Sequence, residues 1–157
     1  MKVYQALQET GVSFEFPKHI PFAGCGLNSE TKHARVDFSI AKEWGHVILE
    51  VDEDQHRSYP IGCDVRRDFC IHESVTMGSG HKLRVIHYNP DAFRVDGKAC
   101  ATTQKDRIAK LLAALEEDEP VGFERLFIFF DSVSGATLPQ VGASWDQAVQ
   151  EVSRVFW

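Results

Sequence analysis

Val47-Ile-Leu-Glu-Val-Asp-Glu-Asp-Gln-His56, ten residues after Asp37, decides how this chain is read. Its first half is an apolar strand. Its second half carries Glu50, Asp52, Glu53 and Asp54, then a histidine. Like charges crowded at the end of a buried strand repel one another and resist desolvation, so the run calls for a compensating cation. Oxygen donors suit a hard divalent ion, Mg²⁺ or Mn²⁺.

Working outward, Arg35 to Ile40 alternates, with Val36, Phe38 and Ile40 on one face and Asp37 on the other. Lys42 to Gly45 makes a tight connection, and His46 to Asp52 alternates again. The two strands pair as a hairpin that puts Asp37 on the same face as Glu50 and Asp52. Upstream, residues 2–9 read as a helix stopped by Gly11, Val12 to Phe16 as a strand, and Pro17 to Lys32 as a loop. Downstream, Ile61 to Met77 has helical spacing, with Ile61, Val65, Phe69 and His72 on one stripe. Lys82 to Tyr88 is a strand. Asn89-Pro-Asp91 is a turn, and Asp91 to Gly97, which lacks the acidic spacing and terminal glutamate of a calcium loop, reads as a turn as well. Thr103 to Glu117 is a helix with Ile108, Leu111, Leu112 and Leu115 inward. Leu126 to Phe130 is a buried core strand, Trp145 to Val155 a last helix, and Trp145 and Trp157 cap the core. This order predicts an α/β fold, a mixed β-sheet flanked by helices on both faces. One domain is expected, with its core over 10–115 and a strand and helix extension over 120–157.

At 157 residues the chain can bury a real core. No apolar run approaches the roughly 20 residues of a spanning helix. The N-terminus does not read as a signal peptide, so an intracellular protein, cytoplasmic or nuclear, is expected. The net charge of −6 argues against a general nucleic-acid binder, but its distribution softens that. Residues 1–110 hold 15 basic and 15 acidic residues, and residues 111–157 hold 2 and 8. Phosphate contact by the first part stays open. Cys25, Cys63, Cys70 and Cys100 form no repeated Cys-x-x-Cys pair. Reduced thiols are expected, with a structural Zn²⁺ on Cys25, Cys63 and Cys100 or a histidine as one alternative and a disulfide as the other.

Asp37, Glu50 and His56 carry the chemistry. A phosphodiester needs its non-bridging oxygen neutralised and a water activated, and a metal held by carboxylates serves both. Asp37 and Glu50, with Asp52 beside them, are the expected metal ligands. A histidine just beyond can take a proton from water or give one to the leaving oxygen. Asp64 and Arg67 lie a helical turn apart, as a supporting carboxylate and a phosphate-facing guanidinium. Arg57 and Arg35, with Arg66, Lys32 and His33, would extend a rim for the nucleic-acid backbone. Each of these residues taken singly is more often a solvated surface group. Their common placement at one sheet corner is what singles them out.

Four segments together resemble the restriction-endonuclease-like (PD-(D/E)xK) nucleases. They are Arg35-Val-Asp-Phe38, Val47 to His56, Cys63-Asp-Val-Arg-Arg67 and Leu83-Arg-Val-Ile-His-Tyr-Asn-Pro-Asp91. The nearer likeness is to the very-short-patch-repair-like branch, which includes homing endonucleases with an E-D-x-H-D arrangement and uncharacterised algal and giant-virus proteins. The resemblance spans roughly residues 10–115. It implies that Asp37 is the central metal ligand, that Glu50 takes the ligand position of the next strand, that His56 is the catalytic histidine and that Asp64 is the later carboxylate. Val36 stands where the family has proline. Asp52 stands where the broader superfamily has lysine, as the histidine-using branch allows. The family's N-terminal helix carries a glutamate near the metal, which by spacing falls at or before Met1 here.

The expectation is therefore an endonuclease that hydrolyses DNA with Mg²⁺ or Mn²⁺, without membrane association. A homodimer would let one active site per chain cut both strands. Two alternatives stay open: a nucleic-acid-binding relative that has lost turnover, and a module whose metal is only structural.

Overall fold

The computed structural model describes residues 2–22, 32–56, 61–133 and 151–156, the side chains of 56, 61–63 and 151–156 excepted. The chain forms a mixed α/β structure around a five-stranded sheet of order β3-β4-β5-β8-β9. Strand β3 (Phe38–Lys42) pairs antiparallel with β4 (Gly45–Val51). The strands β5 (Lys82–Tyr88), β8 (Phe123–Ile128) and β9 (Glu151–Phe156) then follow β4 in parallel. Helices α1 (Lys2–Thr10) and α3 (Gln104–Leu115) cover one face, where Phe38, Ile40, Leu49, Ile86 and Leu126 meet Leu7 and Leu111. Helix α2 (Ile61–Thr76) covers the other, where Ile48, Val85 and Phe123 meet Ile71. Among the described residues, no helix is long and apolar enough to cross a membrane.

The hairpin that positions the candidate site depends on its first glycine. Gly45 has φ +150°, and a Cβ there would stand 2.1 Å from the Lys82 carbonyl oxygen and 2.7 Å from its nitrogen. Both are backbone atoms of the neighbouring strand, so neither can swing away. Gly45→Ala is expected to lower stability by about 2–3 kcal/mol, read as a fall in the urea midpoint. A midpoint within error of the wild type would show that β4 and β5 tolerate a wider start.

Several elements differ from the sequence expectation. The alternating run Arg35 to Ile40 is two strands, not one. It breaks at Asp37: β2 (His33–Val36) leaves the sheet and pairs with β1 (Lys18–Pro21), whereas β3 stays with β4. Val36 therefore packs on the α2 side and Phe38 on the opposite side. β1 occupies part of the segment expected to be loop. Val12 to Phe16 makes only an isolated bridge, Glu15 to Ser39. Helix α2 is where expected, but its inward residues are Asp68, Cys70 and Ile71, with Phe69 and His72 only half-buried. β6 (Phe93–Val95) and β7 (Lys98–Cys100) form an unexpected hairpin, turned by Asp96 and Gly97 at φ 51° and 75°.

The last correction concerns the C-terminal part. The expected helix Trp145 to Val155 ends as strand β9, and its first part, with Trp145 and Trp157, lies outside the described residues. Val152, Val155 and Phe156 favour a strand, and β8 has an open edge for it to pair with. β8 sits inside the sheet beside β5, so the chain beyond 120 completes the core sheet. Across that pair, buried Arg84 bonds Glu124 at 2.5 Å and the carbonyls of Glu117 and Asp118, which fastens the chain after α3.

Cys70 is disulfide-bonded, contrary to the expectation of reduced thiols, and its partner lies outside the described side chains. Cys100 is a free thiol.

Candidate functional site

The break at Asp37 builds the site. A strand that stops pairing leaves backbone groups to be satisfied, and here two carboxylates take them. The Asp37 N–H donates to Glu50 Oε2 at 3.1 Å, and the Val51 N–H donates to Asp37 Oδ2 at 2.9 Å. This reciprocal clasp draws both carboxyl groups to one corner at the C-terminal end of β4. Asp37 is thus at a strand junction rather than in mid-strand.

Arg67 comes in from α2. Its Nη2 lies 2.5 Å from Glu50 Oε1 and donates to the Arg35 carbonyl at 2.7 Å. Glu50 is only 5% exposed. Burial pushes its carboxyl up to about 7, although Arg67, the Asp37 N–H and His87 all pull it down. Burial works against the Arg67 charge, and Glu50 with Asp68 and Asp52 raises its pKa nonetheless.

Asp52 turns to a different partner. Its Oδ2 lies 2.7 Å from His87 Nδ1, and His87 Nε2 lies 2.8 Å from Asp68 Oδ2. Arg125 Nε donates to the same Asp68 oxygen at 2.9 Å. His87 stacks on Phe127, ring centroids 4.7 Å apart, and Arg125 lies over the same ring. Burial alone would lower the His87 pKa, but Asp68 and Asp52 outweigh it and raise it to about 10. Burial likewise opposes the Asp68 charge, and His87 with Arg125 holds its pKa below the ordinary value. The imidazole is thus a buried cation between two carboxylates. Glu50, beside His87 in the β4–β5 register, joins the two clusters into one polar seam under α2.

The sequence-predicted residues divide accordingly. Asp37, Glu50 and Arg67 come together. Asp52 is beside them in sequence but engaged by His87. Among the described residues, no group of three or more histidine, cysteine or acidic side chains is arranged to hold a metal ion. Asp64 is half-buried in the first turn of α2. Arg35 is exposed on β2. His56 ends the short turn Glu53–His56 that follows β4, in which Asp54 and Gln55 take left-handed φ of 51° and 57°, and its side chain, like all of Arg57, lies outside the described residues. That turn is anchored across the molecule: Gln55 Nε2 donates to Asp131 Oδ1 at 3.1 Å and Gln55 Oε1 accepts the Asp131 N–H at 2.7 Å. His87, Asp68 and Arg125 were not anticipated. A histidine in phase with Leu83 and Val85 on β5 was the one available signal.

No family model, curated protein or solved structure matches the chain.

Proposed function

We propose that this protein is a divalent-metal-dependent endonuclease of restriction-endonuclease-like fold that hydrolyses phosphodiester bonds in DNA. The observation that carries the reading is the Asp37–Glu50 clasp at the end of β4. The donors are oxygens of two carboxylates, the type Mg²⁺ or Mn²⁺ prefers. Glu50, raised to about 7 by burial despite Arg67, sits where a further cation would be stabilised. Both observations fit a hard divalent ion held by Asp37 and Glu50. When bound, such an ion neutralises a phosphate oxygen and eases deprotonation of water.

The chain's own groups do the remainder. Asp37 is oriented by the Val51 N–H and Glu50 by the Asp37 N–H. Arg67, already spanning Glu50 and the Arg35 carbonyl, contacts the scissile phosphate. Asp64 supports this side of the site from α2. His56 accepts the proton of the attacking water or returns one to the oxygen that leaves phosphorus. Water adds to phosphorus as the opposite P–O bond breaks. A dimer would bring two such sites to the two strands.

A second reading, a nucleic-acid-binding relative without turnover, draws on two contacts: Arg67 already neutralises Glu50, and Asp52 is engaged by His87. Plasmid nicking separates the two. Nicking should require Mg²⁺ or Mn²⁺, stop with chelator, and fall about 10²-fold or more in His56→Ala. Salt-sensitive DNA binding with no metal-dependent nicking would favour the second reading.

A further inference from the structure

We infer that the outer face of the β1–β2 ribbon is a docking surface for the phosphates of double-stranded DNA, an assignment that rests on the nuclease reading and extends it. The ribbon is two-faced. Ile20, Ala34 and Val36 are buried toward α2. His19, Pro21, His33 and Arg35 are exposed on the other side, with His19 opposite Arg35 and Pro21 opposite His33. The two imidazoles lie 5.2 Å apart, centroid to centroid. Neither strand contains an acidic residue. Lys32, next to His33 and opposite Phe22, is exposed at one end of the ribbon, and Lys18 at the other end is paired with Glu15. In a chain of net charge −6 this is a local reversal of sign.

Position favours DNA over an acidic protein. Arg35 is two residues from Asp37, and its carbonyl holds the Arg67 guanidinium that reaches Glu50. A backbone whose phosphate reaches the clasp therefore continues onto the ribbon. Four residues of strand span about 13 Å, and duplex DNA presents a phosphate about every 3.4 Å of axis on each strand. The ribbon thus covers three or four phosphates next to the one at the clasp. Its exposed face carries no Phe, Tyr or Trp, the stacking platform a single strand uses.

The test is fluorescence anisotropy with a short labelled duplex over a salt series, without divalent metal. The combined variant His19→Ala, His33→Ala, Arg35→Ala should bind about tenfold more weakly or worse, with a shallower dependence on salt. Lys98→Ala with Lys105→Ala, remote from the ribbon, should bind as the wild type does. If thermal melts show the combined variant misfolded, Arg35→Glu alone replaces it. Unchanged affinity and salt slope overturn the assignment. Equal binding of polyglutamate and duplex by the wild type overturns it in favour of an acidic protein. Stronger binding of a single strand than of the duplex overturns the double-stranded part. Wild-type nicking with unaltered duplex binding by the variant rejects the ribbon and keeps the nuclease. Lost binding in the variant, with no nicking by the wild type under any metal, keeps the ribbon and rejects the nuclease.

Discussion

His87→Ala is expected to destabilise the fold by about 3–5 kcal/mol. The substitution removes the imidazole that bridges Asp52 Oδ2 and Asp68 Oδ2, 2.7 and 2.8 Å away. Two carboxylates that are 2% and 0% exposed would then face each other across a void. Arg125, on β8, still compensates Asp68 but does not bond Asp52 in His87's place, and Arg67 is committed to Glu50. The stack on Phe127 is lost as well. The pH dependence separates the charge from the packing. His87 is raised from 6.5 to about 10, so its stabilisation is complete below pH 6.5 and is lost as pH rises through 10. Burial opposes the charge, and Asp68 and Asp52 outweigh it. Glu50, raised from 4.5 to about 7, contributes its own decline at lower pH, so the window above pH 7 belongs to His87. Urea midpoints of wild type and variant should therefore converge between pH 7 and 10. A gap that stays constant with pH would show that the histidine acts only by packing.

That seam also marks where sequence reasoning reaches and where it stops. β4 and β5 could be read because their apolar residues are buried as the pattern demands. α2 could be read as a helix, but not which way it faces. Asp68 is completely buried there, and a polar residue facing inward looks like a surface residue until its partners are known. Those partners, His87 and Arg125, come from other strands, and Arg125 precedes the apolar run Leu126 to Phe130, whereas β8 spans Phe123–Ile128. The break at Asp37 was hidden for a different reason. Val36, Phe38 and Ile40 alternate without interruption, and only the pairing of β2 with β1 reveals that they split between two cores. The Asp37–Glu50 pair was legible because charge at a strand end needs no tertiary knowledge to be noticed. The Asp96-Gly97 turn signal was legible too, and short flanking strands masked its meaning.

Asp37→Asn should cut nicking by at least about 10²-fold while changing stability by under about 1 kcal/mol. The second half of this expectation follows from the clasp. Asparagine keeps a carbonyl oxygen where Oδ2 accepts the Val51 N–H, and its own N–H still reaches Glu50 Oε2. Asp37→Ala is the contrast: it leaves the Val51 N–H without its acceptor, at a cost of about 1–3 kcal/mol if no water replaces it. The first half follows from charge. A hard divalent ion gains little from a neutral amide compared with a carboxylate, and Glu50 alone is already shared with Arg67. Stabilisation of phosphate charge by such an ion is worth several kcal/mol, and each 1.36 kcal/mol is tenfold in rate. Duplex binding measured without metal should persist, because it draws on the ribbon and Arg67 rather than on Asp37. Removing one negative charge beside an approaching phosphate could even tighten it. A variant that folds, binds and nicks at the wild-type rate would place the chemistry elsewhere in the chain. One that folds and binds but no longer nicks would tie turnover to the junction between β2 and β3.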